Sequence, residues 1–429
     1  MIRRLVLLTA TGLSLTASAI LAQQQDDASA AVFQRYADRT AKIQVVERGS
    51  GAKASMGSAF FVASDGRLMT NYHVVAEAVG NPRYRVEWID QTGIPHIGRI
   101  LAIDVVRDLA VVRTVVGPDR RRIGSFSLEV PFVARGTRLY SLGHPEDLGL
   151  SIVEGVYNGH LQHTLYPKIH YTGPLNSGMS GGPALTANGQ VVGVNVATAG
   201  NSLSFLVPIE AAIPLMARSE EAAATTESGD FIAEVGRQVL ANQGAYLGTL
   251  FQGNDSTIAI GPFILPTQPA SFFRCWADAE RNPDALYEVV DHQCSTDDYI
   301  YLSGRQSSGI VSLSHRVLLS RGLNPIRFYS LYTAEFQSSY AELGFGSSAD
   351  LTSYQCSAGN IRQPGGVIRT RFCLRGYTKY PGLYDAVIKA AMLGARDAGV
   401  VSQLTLSGVS FDNAQRLGRQ YLEQIRWSR

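Results

Sequence analysis

Apolar and polar positions along the chain fall into two regimes. From Ala41 the apolar runs are short. Ile43 to Val46 ends at a Gly49-Ser50-Gly51 turn, and Ser58 to Val62 ends at Ser64-Asp65-Gly66, a hairpin signal. Tyr84 to Ile89 alternates, with Tyr84, Val86 and Trp88 on one face and Arg85 and Glu87 on the other. Leu109 to Val112, Arg138 to Leu142, Ser151 to Val156 and Gln190 to Val194 read as further short strands. Many short strands with glycine turns and little helix predict an all-β barrel or sandwich. Pro208-Ile209-Glu210 then leads into a short helical stretch, Ala211 to Met216.

Residues 217–230 carry almost no large apolar side chain, which predicts a linker or a solvated helix end. Beyond it, 231–429 reads as a separate α+β domain. Ile310 to Leu319, Ile326 to Thr333 and Val367 to Leu374 alternate as strands do. Tyr384 to Leu393 reads as a helix, with Leu383, Val387, Ala390 and Ala391 on one face. A closing helix from about Asp412 carries Ala414, Leu417, Tyr421, Leu422 and Ile425. A length of 429 residues also exceeds what one core commonly serves.

Residues 1–22 have the build of a secretory signal peptide: Arg3 and Arg4, an apolar run from Leu5 to Leu15, then small residues up to Ala22. That run is short for a membrane span, so the expectation is an exported chain, periplasmic or secreted, with no integral span after signal removal. The four cysteines fit export, and all lie in the second half as two close pairs, Cys275 with Cys294 and Cys356 with Cys373. Two local disulfides are the simplest reading, although four cysteines permit three pairings; a zinc site would want C-x₂₋₄-C spacing, which is absent. Charge is nearly balanced, 38 Lys+Arg against 36 Asp+Glu, and no basic stripe points to a nucleic-acid partner.

The chemistry concentrates at Ser180, in Asn176-Ser177-Gly178-Met179-Ser180-Gly181-Gly182-Pro183. A serine hydroxyl attacks only when a base takes its proton and when backbone N–H groups meet the developing oxyanion. Glycines let the main chain bend so that the Gly178 and Ser180 amides converge. His73, in Thr70-Asn71-Tyr72-His73-Val74-Val75, and Asp108, ahead of Leu109-Ala110-Val111-Val112, supply a base and an orienting acid. The order His, Asp, Ser differs from both the subtilisin and the α/β-hydrolase orders.

These segments, with Gly57-Ser58-Ala59-Phe60-Phe61-Val62, Leu142-Gly143-His144-Pro145, Gly189-Gln190-Val191-Val192-Gly193-Val194 and Leu203-Ser204-Phe205-Leu206-Val207-Pro208, resemble the HtrA/Deg branch of trypsin-like serine peptidases over roughly residues 40–216. The resemblance implies a chymotrypsin-like double barrel of two six-stranded halves. It also implies His73 as general base, Asp108 rather than Asp104 as its partner, Ser180 as nucleophile, and the Gly178 and Ser180 amides as the oxyanion hole. A protein or peptide substrate follows, cleaved without metal or other cofactor. Met179 departs from the pattern, since digestive members carry there an aspartate that pairs with a freshly cut N-terminus. Pro174 stands where trypsin-like members carry a pocket aspartate, so Pro174 with Asn195, Ala197 and Thr198 is expected to line a pocket for a small or medium uncharged P1 side chain.

His144, His160, His163 and His170 lack the carboxylate or cysteine that would complete a metal set. The C-terminal half does not read as the PDZ domain usual in HtrA proteins, and Tyr299, Tyr301, Tyr329 and Tyr332 are candidates there for a face that binds a partner. The competing reading is a non-catalytic or gated peptidase-like binding protein whose C-terminal domain carries the main function.

Overall fold

The computed structural model describes residues 28–115, 124–198, 203–224, 230–251, 257–280, 284–338, 349–394 and 396–428; the signal peptide expected at 1–22 lies outside them. The chain divides into two compact units. Of the described residues, those within 28–103, 109–160 and 168–224 form one, and those within 104–108, 161–167 and 230–428 form the other.

In the first unit a helix, α1 (28–36), precedes β1 (Thr40–Glu47), β2 (Lys53–Phe61) and β3 (Arg67–Thr70). A single-turn helix, α2 (Tyr72–Val75), leads on to β4 (Tyr84–Ile89), β5 (Pro95–Asp104) and β6 (Leu109–Thr114). These six strands close into an antiparallel barrel in the order β1-β2-β3-β6-β5-β4. Then come β7 (Arg138–Gly143), β8 (Ser151–His160), β9 (Ile169–Tyr171), β10 (Pro183–Leu185), β11 (Val191–Thr198) and β12 (Ser204–Pro208), closed as β10-β11-β12-β9-β8-β7. Two closed six-stranded barrels are the chymotrypsin-like architecture, and closure leaves no open sheet edges.

Barrel interiors explain the short apolar runs. Leu109, Ala110, Val111 and Val112 on β6 are all fully buried, because side chains on both faces of that strand are covered. Phe60, Met69, Leu109 and Val111 share a core with Leu142, Leu185 and Val194. A second cluster fills the later barrel with Leu139, Ile169, Tyr171, Val192 and Leu206. The stretch read as a linker begins as helix: α3 (Ala212–Ala223) runs through it, and Ser219 is buried with its hydroxyl accepting from the Arg67 guanidinium at 3.1 Å. Residues 225–229 lie outside the described residues.

The second unit is β-rich. It contains α4 (Phe231–Tyr246), β13 (Thr257–Ile260), β14 (Phe263–Pro266), β15 (Phe273–Glu280), β16 (Tyr287–Thr296), β17 (Ile300–Ser303), β18 (Gln306–Ser308) and β19 (Val311–Ser320). After α5 (Pro325–Gln337) follow β20 (Gln355–Gln363), β21 (Gly366–Gly376), β22 (Tyr384–Leu393), β23 (Ala398–Val409), α6 (Phe411–Glu423) and β24 (Arg426–Trp427). Seven strands form one antiparallel sheet, β15-β16-β19-β23-β22-β21-β20. Cys275 and Cys294 are direct cross-strand partners joined by a disulfide, as are Cys356 and Cys373. Each bridge therefore pins the hairpin at one edge of the sheet.

Two elements differ from the sequence reading. Tyr384–Leu393 is a strand rather than a helix, and Ile326 to Thr333 lies inside helix α5 rather than in a strand. β22 sits inside the sheet with Asp385 to Met392 all buried. A run apolar on both faces gives the same periodicity evidence as a buried helix. In α5, aromatic and β-branched residues simulate alternation, but Asn324-Pro325 is a helix start. The Asn324 carbonyl oxygen of the side chain accepts from the Arg327 N–H at 2.9 Å, and Pro325 occupies the first turn.

Candidate active site

Ser180 lies in the turn that enters β10, half-buried, with its Oγ 3.3 Å from the Val196 carbonyl. The glycines around it are steric requirements. Gly178 and Gly181 have φ of 92° and 88°. A Cβ on Gly178 would stand 2.3 Å from the His144 carbonyl oxygen, and one on Gly181 would stand 2.1 Å from the Ser58 carbonyl oxygen.

The turn is held from several sides. The Ser58 N–H donates to the Ser180 carbonyl at 2.7 Å. The Ser58 hydroxyl donates to the Gly178 carbonyl at 2.8 Å and accepts from the His144 N–H at 2.8 Å. Asn195, fully buried, donates from its amide to the Met179 and Leu142 carbonyls, both at 3.3 Å, and accepts from the Ser141 hydroxyl at 2.9 Å. Met179 has no exposed surface and packs with Leu139, Tyr171, Leu175, Ala184, Val192 and Leu206.

One further contact sets the direction of a peptide. The Glu146 N–H donates to the Ser177 carbonyl at 2.9 Å. Among the described residues no peptide is cis, so the N–H of Gly178 points opposite to that carbonyl.

His73 is the second residue of α2 and its one incompletely buried member, since Tyr72, Val74 and Val75 are fully enclosed. Asp108 precedes β6 with φ of 57°, an unusual conformation for a residue other than glycine. In the same turn Asp104 accepts from the Arg107 N–H and guanidinium, both at 3.0 Å, which commits the alternative carboxylate locally.

Of the residues read as a substrate pocket, Pro174 is exposed. Asn195 instead spends its amide inside the barrel on the ties above. Ala197 and Thr198 lie on β11 opposite Phe205 and Ser204, and their side chains fall outside the described residues. Sequence reasoning missed Ser58 as a tie. Its signal was a polar residue within the apolar run Ser58 to Val62, since buried polar groups keep a bonding partner.

His144 is half-buried, and desolvation, with Lys42 nearby, lowers its pKa to about 4 although Asp147 opposes this. Neutral imidazole is therefore its state near pH 7. The His163 Nδ1 lies 2.8 Å from the Ser271 carbonyl oxygen. Among the described residues the group of three closely placed metal-ligand types is Cys275, His292 and Cys294, and both of its sulfurs are in a disulfide. Tyr299 is 59% and Tyr329 39% exposed, whereas Tyr332 is buried. No helix among the described residues is long and apolar enough to cross a membrane.

The family model described as "Trypsin-like peptidase domain" matches residues 57–194. The chain is 29% identical over 187 residues to the "Probable periplasmic serine endoprotease DegP-like" of Chlamydia trachomatis, covering 40% of this chain and 34% of that one. It is 27% identical over 203 residues to "Serine protease HTRA2, mitochondrial" of Bos taurus, covering 44% and 43%. It thus spans less than half the length of these curated relatives. Among solved structures, the serine endoprotease from Yersinia pestis is similar at 20% identity and a TM-score of 0.38, over 45% of this chain and 66% of that one. Residues 57–194 are a trypsin-like peptidase domain of the HtrA branch.

Proposed function

We propose that this chain is an exported serine endopeptidase that cleaves peptide bonds through an acyl-enzyme. His73 takes the Ser180 proton as Oγ attacks the scissile carbonyl, and the proton passes to the leaving amine. Asp108 holds the imidazole in the tautomer that leaves Nε2 free to accept. The Gly178 and Ser180 N–H groups stabilise the oxyanion; removing one such donor typically costs ~10²–10³ in kcat. Water then repeats the sequence on the acyl-enzyme.

The observation that carries this reading is the Ser180 turn: two left-handed glycines flank it, and the Ser177 carbonyl is bonded away so that the Gly178 N–H faces the other way. Export is supported by the signal-like segment at 1–22, and a periplasmic destination by a relative named as a periplasmic endoprotease. Pro174, Ala197 and Thr198 would border a pocket for an uncharged P1 residue.

The test is fluorophosphonate labelling of the chain from Gln23, produced with disulfides formed. Wild-type protein should label, and Ser180→Ala should not. Folded wild-type protein that stays unlabelled would sink the enzyme reading, and strong Arg preference across P1-varied peptides would sink the pocket.

A further inference from the structure

We propose that Asp147 is a positioning residue for the oxyanion hole, acting through the loop that follows β7. The inference rests on the reading of Ser180 as nucleophile and adds a residue that neither the motifs nor the comparisons assign.

The argument starts from the backbone. The Ser177–Gly178 peptide can turn its N–H toward the oxyanion or away from it, and only one orientation makes a donor. The Glu146 N–H selects that orientation by holding the Ser177 carbonyl at 2.9 Å. A backbone donor is only as well placed as its loop, and this loop is in an unfavourable conformation. Glu146 and Asp147 have φ of 47° and 62°, two consecutive left-handed residues without a glycine. Such a conformation persists where its surroundings over-determine it.

Asp147 supplies the restraint. Its carboxylate bridges two lysines of the first barrel, bonding Lys42 of β1 through one oxygen and Lys53 of β2 through the other at 2.5 Å. Lys42 keeps only 17% of its side-chain surface exposed, so one half of the bridge is well shielded from solvent. The paired ammonium groups hold the Asp147 carboxyl at a pKa of about 2, Lys42 contributing most, so the bridge is charged at any working pH. The other end of the loop is tied by the His144 N–H to Ser58, whose hydroxyl grips the Gly178 carbonyl at 2.8 Å. Ion pair, loop and Ser177–Gly178 peptide are consecutive links.

Asp147→Asn in the full chain should lower kcat at least about tenfold, short of the ~10²–10³ loss of an oxyanion donor, while KM stays within about twofold. The Lys42→Met/Lys53→Met double variant should match it, and Asp147→Glu should recover part of the loss. An Asp147→Asn enzyme with wild-type kcat overturns the assignment. A second measurement needs no turnover: the Gly178 amide resonance in isotope-labelled protein carrying Ser180→Ala, assigned through its bond to the Ser177 carbonyl carbon. With Asp147→Asn added it should shift or double. If it stays single and unshifted, the positioning role fails. Unlabelled wild-type protein would defeat the enzyme reading, and the Gly178 resonance would still decide this one.

Discussion

Met179 shows at the residue scale how the Ser180 turn is held. A fully buried methionine in the second-barrel core anchors the turn by apolar packing, worth about 1.5–3 kcal/mol for such a side chain. That anchor is apolar packing and uses no charged partner. Met179→Leu should keep fluorophosphonate labelling close to wild type. Met179→Asp buries a carboxylate among Leu139, Tyr171 and Leu206 with no cation supplied, which should cost about 2–5 kcal/mol and abolish labelling. Urea unfolding and labelling of the two variants check this, and normal labelling of Met179→Asp would refute the apolar anchor. The glycines of the Ser180 turn were legible in the sequence because the turn leaves no room for a Cβ at Gly178 or Gly181. The Glu146 N–H was not legible, since any residue but proline offers a backbone donor and only the fold chooses which one is used.

Legibility at the element scale depended on whether a strand has two environments or one. Tyr84–Ile89 is the strand its alternation predicts, β4, with Val86 and Trp88 buried, although Glu87 on the charged face is buried too, where its carboxylate accepts from Gln44 at 3.0 Å and Arg85 at 2.7 Å. β22 has one environment, buried throughout, and its Ala-Val-Ile-Lys-Ala-Ala-Met run carries no period that separates strand from helix. Helix α5 was the opposite case, its start signal present but outweighed by Phe328, Tyr329 and Tyr332. Those aromatics serve tertiary packing. Phe328 and Tyr332, four apart and both buried, form one face, and the Tyr332 hydroxyl reaches the Met392 and Val400 carbonyls at 2.8 Å each. Tyr332→Phe should therefore destabilise the second unit by about 1–3 kcal/mol, the cost of leaving buried acceptors without their donor. Denaturant titration reads the shift, and an unchanged midpoint would mean that the helix is held by apolar contact alone.

At the scale of the whole molecule, each unit has a core of its own: Phe60, Met69 and Leu142 belong to one, and Phe263, Leu313, Ile388 and Leu417 to the other. Both disulfides belong to the second unit. Separate cores predict separate cooperative transitions, and the disulfides give a means of telling them apart. Bridges with sequence separations of 19 and 17 residues each remove chain entropy worth about 3 kcal/mol from the unfolded state. Calorimetry of the intact chain should therefore show two transitions, of which a thiol reductant lowers one. The other should be the transition that a phosphonate on Ser180 displaces, because a ligand bound to one folded unit stabilises that unit. If reductant moved the phosphonate-sensitive transition as far as its partner, the barrels would depend on the cystine hairpins for stability. A single transition under all conditions would mean that the two cores melt as one.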